Sequence, residues 1–128
     1  MKNVINFIIS GLLTFANYFL GGIDIALKSL IIVIILDYIS GILSAFYNKK
    51  INSKIGLKGI IKKLCYLLVV MLAVVIDNLT LQDGLIRNLV IYFLVSNDGI
   101  SIIENLGKMN VKLPKKLIDS LEQLKKEE

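Results

Sequence analysis

The residues that could do chemistry in this chain are ionisable side chains inside apolar runs. Asp37 interrupts one hydrophobic segment, and Arg87 and Asp98 lie in another. A carboxylate at the bilayer centre costs about 3 kcal/mol on insertion scales, so it should be protonated, paired or facing water. Arg87 lies only about 5 Å below the outer end of its segment, which predicts an interfacial anchor.

Other reactive residue types are scarce. The chain has no histidine and one cysteine, Cys65, which we expect to be a buried small hydrophobe. A lone cysteine cannot form an internal disulfide, and no cluster of metal-binding types occurs. The sequence therefore predicts no catalytic, metal-binding or cofactor-binding residue, and no cofactor.

Small residues share a helical face with the first of these carboxylates. Ser40, Gly41 and Ser44 follow Asp37 at i+3, i+4 and i+7. Small residues let helix backbones approach closely in a membrane, so this face predicts self-association. The alternative is a structural packing seam with a neutral, hydrogen-bonded Asp37. Asp37 and Asp98 lie at similar depths of about 18 and 21 Å, so both are oligomerisation or gating candidates.

A second polar pattern lies in the first hydrophobic segment. Its polar residues recur at helical spacing and fall within an arc of about 80°. They are Asn3, Asn6, Ser10, Thr14 and Asn17. Such an uncharged face can pair with another helix in the membrane, line a water-filled pore, or belong to a helix lying in the membrane surface. We take these five residues as pore-lining candidates and leave the other two uses open.

The elements that carry these residues are hydrophobic segments of membrane-spanning length. The chain has 128 residues, of which 55% are hydrophobic, and its mean hydropathy is +0.74. A soluble domain this small could not hide so much apolar surface. A spanning helix needs about 20 apolar residues. The sequence predicts an all-α integral membrane protein with three to four transmembrane helices within residues 1–106, at about 4–20, 25–47, 64–81 and 85–103.

Lysines between the segments predict the topology, because cytoplasmic loops of membrane proteins are rich in basic residues. The net charge of +5 therefore indicates orientation in a membrane and not nucleic-acid binding. The segment 48–63 and the tail 107–128 should both be cytoplasmic in a multi-pass protein of the bacterial cytoplasmic membrane. Their topological or regulatory lysines are Lys49, Lys50, Lys54, Lys58, Lys62, Lys63, Lys115 and Lys116.

The tail 107–128 should form a short amphipathic cytoplasmic helix. Pro114 suits the first turn of a helix. An apolar stripe follows it, formed by Leu117, Ile118, Leu121 and Leu124. Such a helix can lie on an anionic inner leaflet, pair with another tail, or be a solvated end that only sets topology.

Several stretches together resemble one protein family. LDYISGILSAF at 36–46 resembles the Asp-Tyr-x-x-Gly-x-x-x-Ala signature of the phage-lysis and toxin-secretion holin family. NSKIGLKGIIKKL at 52–64, NDGISIIENL at 97–106 and the proline-led tail at 112–128 are also similar to it. The chain departs from the family in having Asp98 where glutamate is commoner, and Asn110-Val111 where a Gly-Val pair is usual. The resemblance covers about residue 31 to the C-terminus.

This resemblance implies a holin and not an enzyme. Such proteins assemble with themselves among the lipids of the cytoplasmic membrane and open lesions that release an endolysin or a toxin. Two other functions stay open at this point. The chain could be an antiholin, which pairs with a holin and delays it, or a small accessory subunit of a transport or secretion complex.

Overall fold

The computed structural model describes residues 1–126, and this part of the chain is helical with no strand. Its helices are α1 (Lys2–Phe19), α2 (Ile25–Tyr47), α3 (Ser53–Leu79), α4 (Leu85–Gly107) and α5 (Lys115–Lys126). The predicted all-α class is confirmed. The last two residues of the predicted tail 107–128 lie outside the described residues.

Polar caps fix where two of the long helices begin. The Asp24 side chain accepts a hydrogen bond from the Leu27 amide at 3.0 Å, and the Asn52 side chain accepts one from the Ile55 amide at 2.9 Å. Both are N-caps, which satisfy an amide that has no partner within the helix. Helix α2 has the predicted bounds, whereas α3 begins at Ser53, about three turns before the apolar run at Leu64.

The cap at Asn52 corrects the prediction of a long linker. Only residues 48–52 connect α2 to α3, and the lysines beyond them are helical. Lysine is a good helix former, so a basic stretch with a cap before it extends the helix. The start of an apolar run indicates where a helix enters a membrane. The helix itself can begin several turns earlier.

Within residues 1–126, three helices are long and apolar enough to cross a membrane. They are α2, α3 and α4, and α1 does not reach that criterion. Every α1 residue is exposed except the half-buried Ala16, and the predicted polar stripe is exposed along its whole length. The spans predicted at 25–47, 64–81 and 85–103 are thus confirmed as span-length apolar helices, and α1 stands apart from the bundle that they form.

Helix α4 occupies the centre of this bundle, because it packs against α2, α3 and α5. Leu27, Leu30, Val70 and Ile91 are fully buried at its core. Most other large apolar residues on these helices are exposed, as expected for a protein whose solvent is lipid. The prediction that Cys65 is buried is wrong: it lies on this exposed surface.

The amphipathic tail helix packs on its own chain. Helix α5 begins directly after Pro114, as predicted, and folds back along α4. A Cβ added at Gly99 would meet Leu121 Cδ2 at 2.7 Å, so the absence of a side chain there lets the two helices approach.

We name the two ends of the bundle by their residues. The lysine end comprises the α2–α3 connection (48–52), the first turns of α3 and the end of α4. The turn end comprises the α1–α2 connection (20–24), the end of α3 and the start of α4.

Candidate functional site

A charged network joins the three candidate spans inside the bundle. Lys63 of α3 lies 2.5 Å from Asp37 Oδ2 on α2 and 2.7 Å from Asp98 Oδ1 on α4. The side chains of Lys63 and Asp37 are each 11% exposed, and that of Asp98 is 1% exposed. One ammonium group therefore connects a carboxylate on each neighbouring helix, and we call this the Asp37–Lys63–Asp98 network.

Polar side chains surround the network on both sides. Asn105 Nδ2 donates to Ser40 Oγ at 2.9 Å and to Asp37 Oδ1 at 3.3 Å. The Lys63 ammonium also lies 4.7 Å from the centre of the Tyr66 ring, close enough for a cation–π interaction. The network is therefore part of a polar layer that crosses an otherwise apolar bundle.

The charges of this network do not balance. Two carboxylates share one lysine, so the ionised group carries one net negative charge. Asp98 Oδ2 is the buried side-chain oxygen that has no hydrogen-bond partner among the described residues. Burying charges costs several kcal/mol unless each is well paired, so the arrangement sacrifices stability. The network joins α2, α3 and α4 at this level.

The structure brings some predicted site residues together. Asp37 and Asp98 meet through Lys63, in agreement with their similar predicted depths. Ser40 and Ser44 are buried, and a Cβ at Gly41 would lie 3.6 Å from Asn105 Nδ2 of α4. The small-residue face of α2 is thus occupied by α4 within a single chain. Its use between copies of the chain stays a prediction.

Lys63 does not belong with the flanking lysines to which the sequence analysis assigned it. Lys49, Lys50, Lys54, Lys58, Lys62, Lys115 and Lys116 are exposed, as residues that set topology should be. Lys63 instead lies three, seven and ten residues before Tyr66, Val70 and Ala73, which are buried. This helical spacing predicts that Lys63 is buried on the same face as these residues. The prediction requires Lys63 to belong to α3 and not to a linker.

A second charged cluster closes the turn end, and it corrects the prediction that Arg87 is an interfacial anchor. Arg87 is 4% exposed. Its guanidinium donates to both carboxylate oxygens of Asp24, at 2.7 and 3.1 Å, and to the Leu20 and Gly22 carbonyls, at 2.6 and 2.9 Å. The planar fork of arginine suits such multiple contacts. Arg87 therefore ties the α1–α2 turn to α4.

The same end carries a cap that reaches between helices. Asp77 of α3 is buried, and its two carboxylate oxygens accept the Ile86 and Arg87 amides, each at 2.9 Å. A carboxylate at a helix N-terminus satisfies free amides and interacts favourably with the helix dipole. The hydrogen bond from Arg87 lowers the pKa of Asp24 below its ordinary value, so this carboxyl stays ionised.

The remaining pore-lining candidates lie apart from both clusters. Thr14 Oγ1 donates to the Ser10 carbonyl at 2.8 Å, a local bond within α1. The side chains of Asn3, Asn6 and Asn17 are exposed. Their role in lining a pore stays a prediction.

The chain is similar to a known protein family and to proteins of several bacteria. The model of the bacteriophage holin family matches residues 14–126. An uncharacterized 14.9 kDa protein of Clostridium perfringens is 40% identical, over 97% of both chains. An uncharacterized protein of Listeria monocytogenes is 38% identical over 91% of this chain and 84% of its own.

A named relative comes from a phage. The probable holin of Bacillus phage phi105 is 32% identical over 74% of this chain and 70% of its own length. No solved structure matches the fold significantly. The family match covers the three span-length helices, the Asp37–Lys63–Asp98 network and α5, and the chain belongs to the bacteriophage holin family.

Proposed function

We propose that this chain is a holin that assembles with copies of itself in the bacterial cytoplasmic membrane and opens lesions for an endolysin or a toxin. The observation that carries the proposal is the Asp37–Lys63–Asp98 network, which places unbalanced charge inside a bundle of three span-length helices. Ionisable groups at this depth are costly, and in membrane proteins they usually mark a functional site.

In the closed state the network holds the bundle together. Lys63 bonds α3 to both other helices at this level, and Asn97 Nδ2 of α4 also donates to the Tyr66 hydroxyl of α3 at 2.8 Å. Helix α2 packs more extensively on α4 than on α3. Separation of α3 would leave three charged side chains that only water could stabilise. Helix separation and a water-filled lesion are therefore coupled by the same side chains.

The membrane potential can bias this equilibrium. A charge that crosses the field gains about 2.3 kcal/mol per 100 mV, and the network carries a net negative charge when ionised. Loss of the potential removes that contribution. A fall in potential therefore shifts the population between packed and separated helices, which suits a protein that acts abruptly.

The charges of the docked tail helix α5 indicate that one face of the bundle contacts water. Lys115, Lys116, Asp119 and Glu122 are exposed while α5 lies along the span-length α4. Each charge would cost about 3 kcal/mol in hydrocarbon. The face of the bundle formed by α4 and α5 therefore suits the wet side of a lesion, as does the exposed polar stripe of α1.

The test is inducible expression of the chain alone in a bacterium, with and without a cytoplasmic endolysin. Optical density and membrane potential are followed together. We expect abrupt depolarisation in both strains and lysis only in the strain with endolysin. Asp37→Asn should change the time at which this happens, because it alters the charge of the network.

The antiholin function predicts a different result. Stable growth and an intact potential, with the protein confirmed in the membrane, would overturn the holin proposal. If co-expression then delayed lysis by a known holin, the chain would be an antiholin.

A further inference from the structure

A basic cavity of about 570 Å³ lies at the lysine end, between α2, α3 and α4. Its walls include Lys50, Lys62, Lys63 and Lys108, together with the hydrogen-bonding side chains of Asn48 and Ser101. Lys63 is neutralised by its two carboxylates. The other three lysines form no ion pair among the described residues, so they are available to an anion.

The acid in this cavity does not cancel the attraction. Asp37 also lines it, but its carboxylate already accepts from Lys63 and Asn105. The ionised Asp37–Lys63–Asp98 network carries one net negative charge, and Lys50, Lys62 and Lys108 add three positive charges, so the net charge at the cavity is +2. Lysine provides point charges for a phosphoryl group, and Ser101 provides a neutral donor. The Asn48 amide already donates to the Ser44 carbonyl at 2.9 Å.

An apolar groove of about 440 Å³ begins where the basic cavity ends. Lys62 lines both. The groove continues between α3 and α4 along Cys65, Val69, Val90 and Phe93, away from the lysine end. Cys65 and Val69 lie one to two turns beyond Lys62 along α3, within the apolar part of that helix, and Val90 and Phe93 lie on α4.

We propose that the cavity and the groove together bind one anionic phospholipid, with its phosphoryl headgroup among Lys50, Lys62 and Lys108 and an acyl chain along the groove. Basic pockets between transmembrane helices at the cytoplasmic side bind anionic headgroups in this way. The groove distinguishes a lipid from free phosphate, because inorganic phosphate has nothing to place against Val69 and Phe93. The site is independent of lesion formation, so it can be tested whether or not the chain is a holin.

The experiment measures lipid retained by the purified full-length protein in a non-ionic detergent, by native mass spectrometry with added phosphatidylglycerol or phosphatidylcholine. The test variant carries Lys50→Gln, Lys62→Gln and Lys108→Gln. A matched control carries Lys49→Gln, Lys54→Gln and Lys58→Gln, which removes the same charge from lysines outside the cavity wall. Circular dichroism verifies that both remain helical.

We expect one retained phosphatidylglycerol per chain and little phosphatidylcholine. The test variant should lose at least about tenfold in apparent affinity, and the control should change little, because each basic residue at a headgroup contributes about 1 kcal/mol. Val69→Trp keeps every lysine but fills the groove, and it should weaken retention as well.

Three outcomes would overturn the assignment. Equal losses in the two triple variants would mean general attraction by surface charge. Full retention by Val69→Trp would mean that the groove holds no chain. Displacement of the lipid by millimolar inorganic phosphate would mean that the site binds the phosphoryl group alone.

Discussion

Lys63 contacts a carboxylate on each of the two neighbouring helices, and its loss should cost more than the loss of any exposed lysine. Lys63→Met leaves Asp37 and Asp98 together in the bundle without a cation. Removing one partner of a buried ion pair typically costs about 3–5 kcal/mol. We expect a loss of this size in the free energy of unfolding measured in micelles.

A combined variant checks the cause of that loss. Adding Asp37→Asn and Asp98→Asn to Lys63→Met removes all the charges and should restore most of the stability, because the contributions of coupled residues are not additive. Lys58→Met, at an exposed position of the same helix, is the control and should stay near wild type. A combined variant as unstable as Lys63→Met would refute the electrostatic explanation.

Asp24 should make the turn end sensitive to acid. Its hydrogen bond with Arg87 lowers the pKa of the folded protein's Asp24 below the ordinary 3.8. The stability that the pair contributes is therefore fully present above that ordinary value and is lost as pH falls through the lowered one. Unfolding measured from neutral to acidic pH should show this loss, and Asp24→Asn should reduce it.

The control for this titration is Asp83→Asn, which removes the same charge from the neighbouring turn. Asp83 has no ion pair with Arg87 among the described residues. Its substitution should leave the acid dependence unchanged. An equal effect of the two substitutions would point to total charge and not to the Asp24–Arg87 pair.

At the scale of elements, the α1–α2 connection contains two adjacent glycines. Both have a backbone conformation that favours glycine, but only one also lacks room for a side chain. Gly21 and Gly22 both have positive φ, at 82° and 109°. A Cβ at Gly21 would meet Arg87 Nε at 2.7 Å, whereas one at Gly22 meets nothing within 4 Å. Both alanine variants incur backbone strain, but only Gly21→Ala also displaces Arg87.

Gly21→Ala should therefore lower the free energy of unfolding by about 1–3 kcal/mol more than Gly22→Ala, since charged hydrogen bonds of Arg87 are lost. Chemical denaturation in micelles measures the difference. Equal effects would show that the guanidinium adapts to the added methyl group.

The contact of α5 with α4 can be tested with a second glycine pair. Gly99→Leu should push Leu121 away and release α5, because even a Cβ would lie 2.7 Å from Leu121 Cδ2. Gly107→Leu is the control on the same helix, since nothing lies within 4 Å of a Cβ there. Limited trypsin digestion should then cut faster after Lys115 and Lys116 in the first variant alone. Unchanged cutting would mean that α5 stays docked.

The sequence predicts elements well where a local pattern determines them. The apolar runs of α2 and α4, and the start of α5 after Pro114, follow from hydropathy and proline chemistry. The predicted start at residue 64 is wrong for α3, because a prediction based on apolar runs alone assigns the basic stretch before residue 64 to a loop. The partners of Lys63 and Arg87 could not be predicted, since each lies on another helix and depends on how the helices pack.

At the scale of the whole molecule, the proposed lesion separates α3 from α2 and α4, which stay together. At the lysine end Asn110 Nδ2 donates to the Tyr47 hydroxyl at 3.2 Å, so the end of α2 touches the segment that follows α4. Tyr47→Cys with Asn110→Cys, in a Cys65→Ser background, can be joined by a short reducible thiol crosslinker. In vesicles loaded with a dye, joining these two positions should leave dye release unchanged, because α3 is the helix that we propose to separate.

The single-cysteine variants, treated with the same reagent, are the controls and should release dye throughout. Both positions are exposed, so the reagent can reach them. Release that is blocked in the joined variant and restored by reduction would mean that α2 and α4 also part at this end when the lesion forms.

The hydrogen bonds that join the helices differ between the two ends of the bundle. At the turn end Arg87 and Asp77 form buried hydrogen bonds with backbone groups of neighbouring elements, whereas at the lysine end Asn110 and Tyr47 are joined by an exposed bond between side chains. Helices that are held together at one end and free at the other separate most at the free end. In the proposed lesion the passage would be a funnel, with its wide mouth on the side that the basic residues predict to be cytoplasmic.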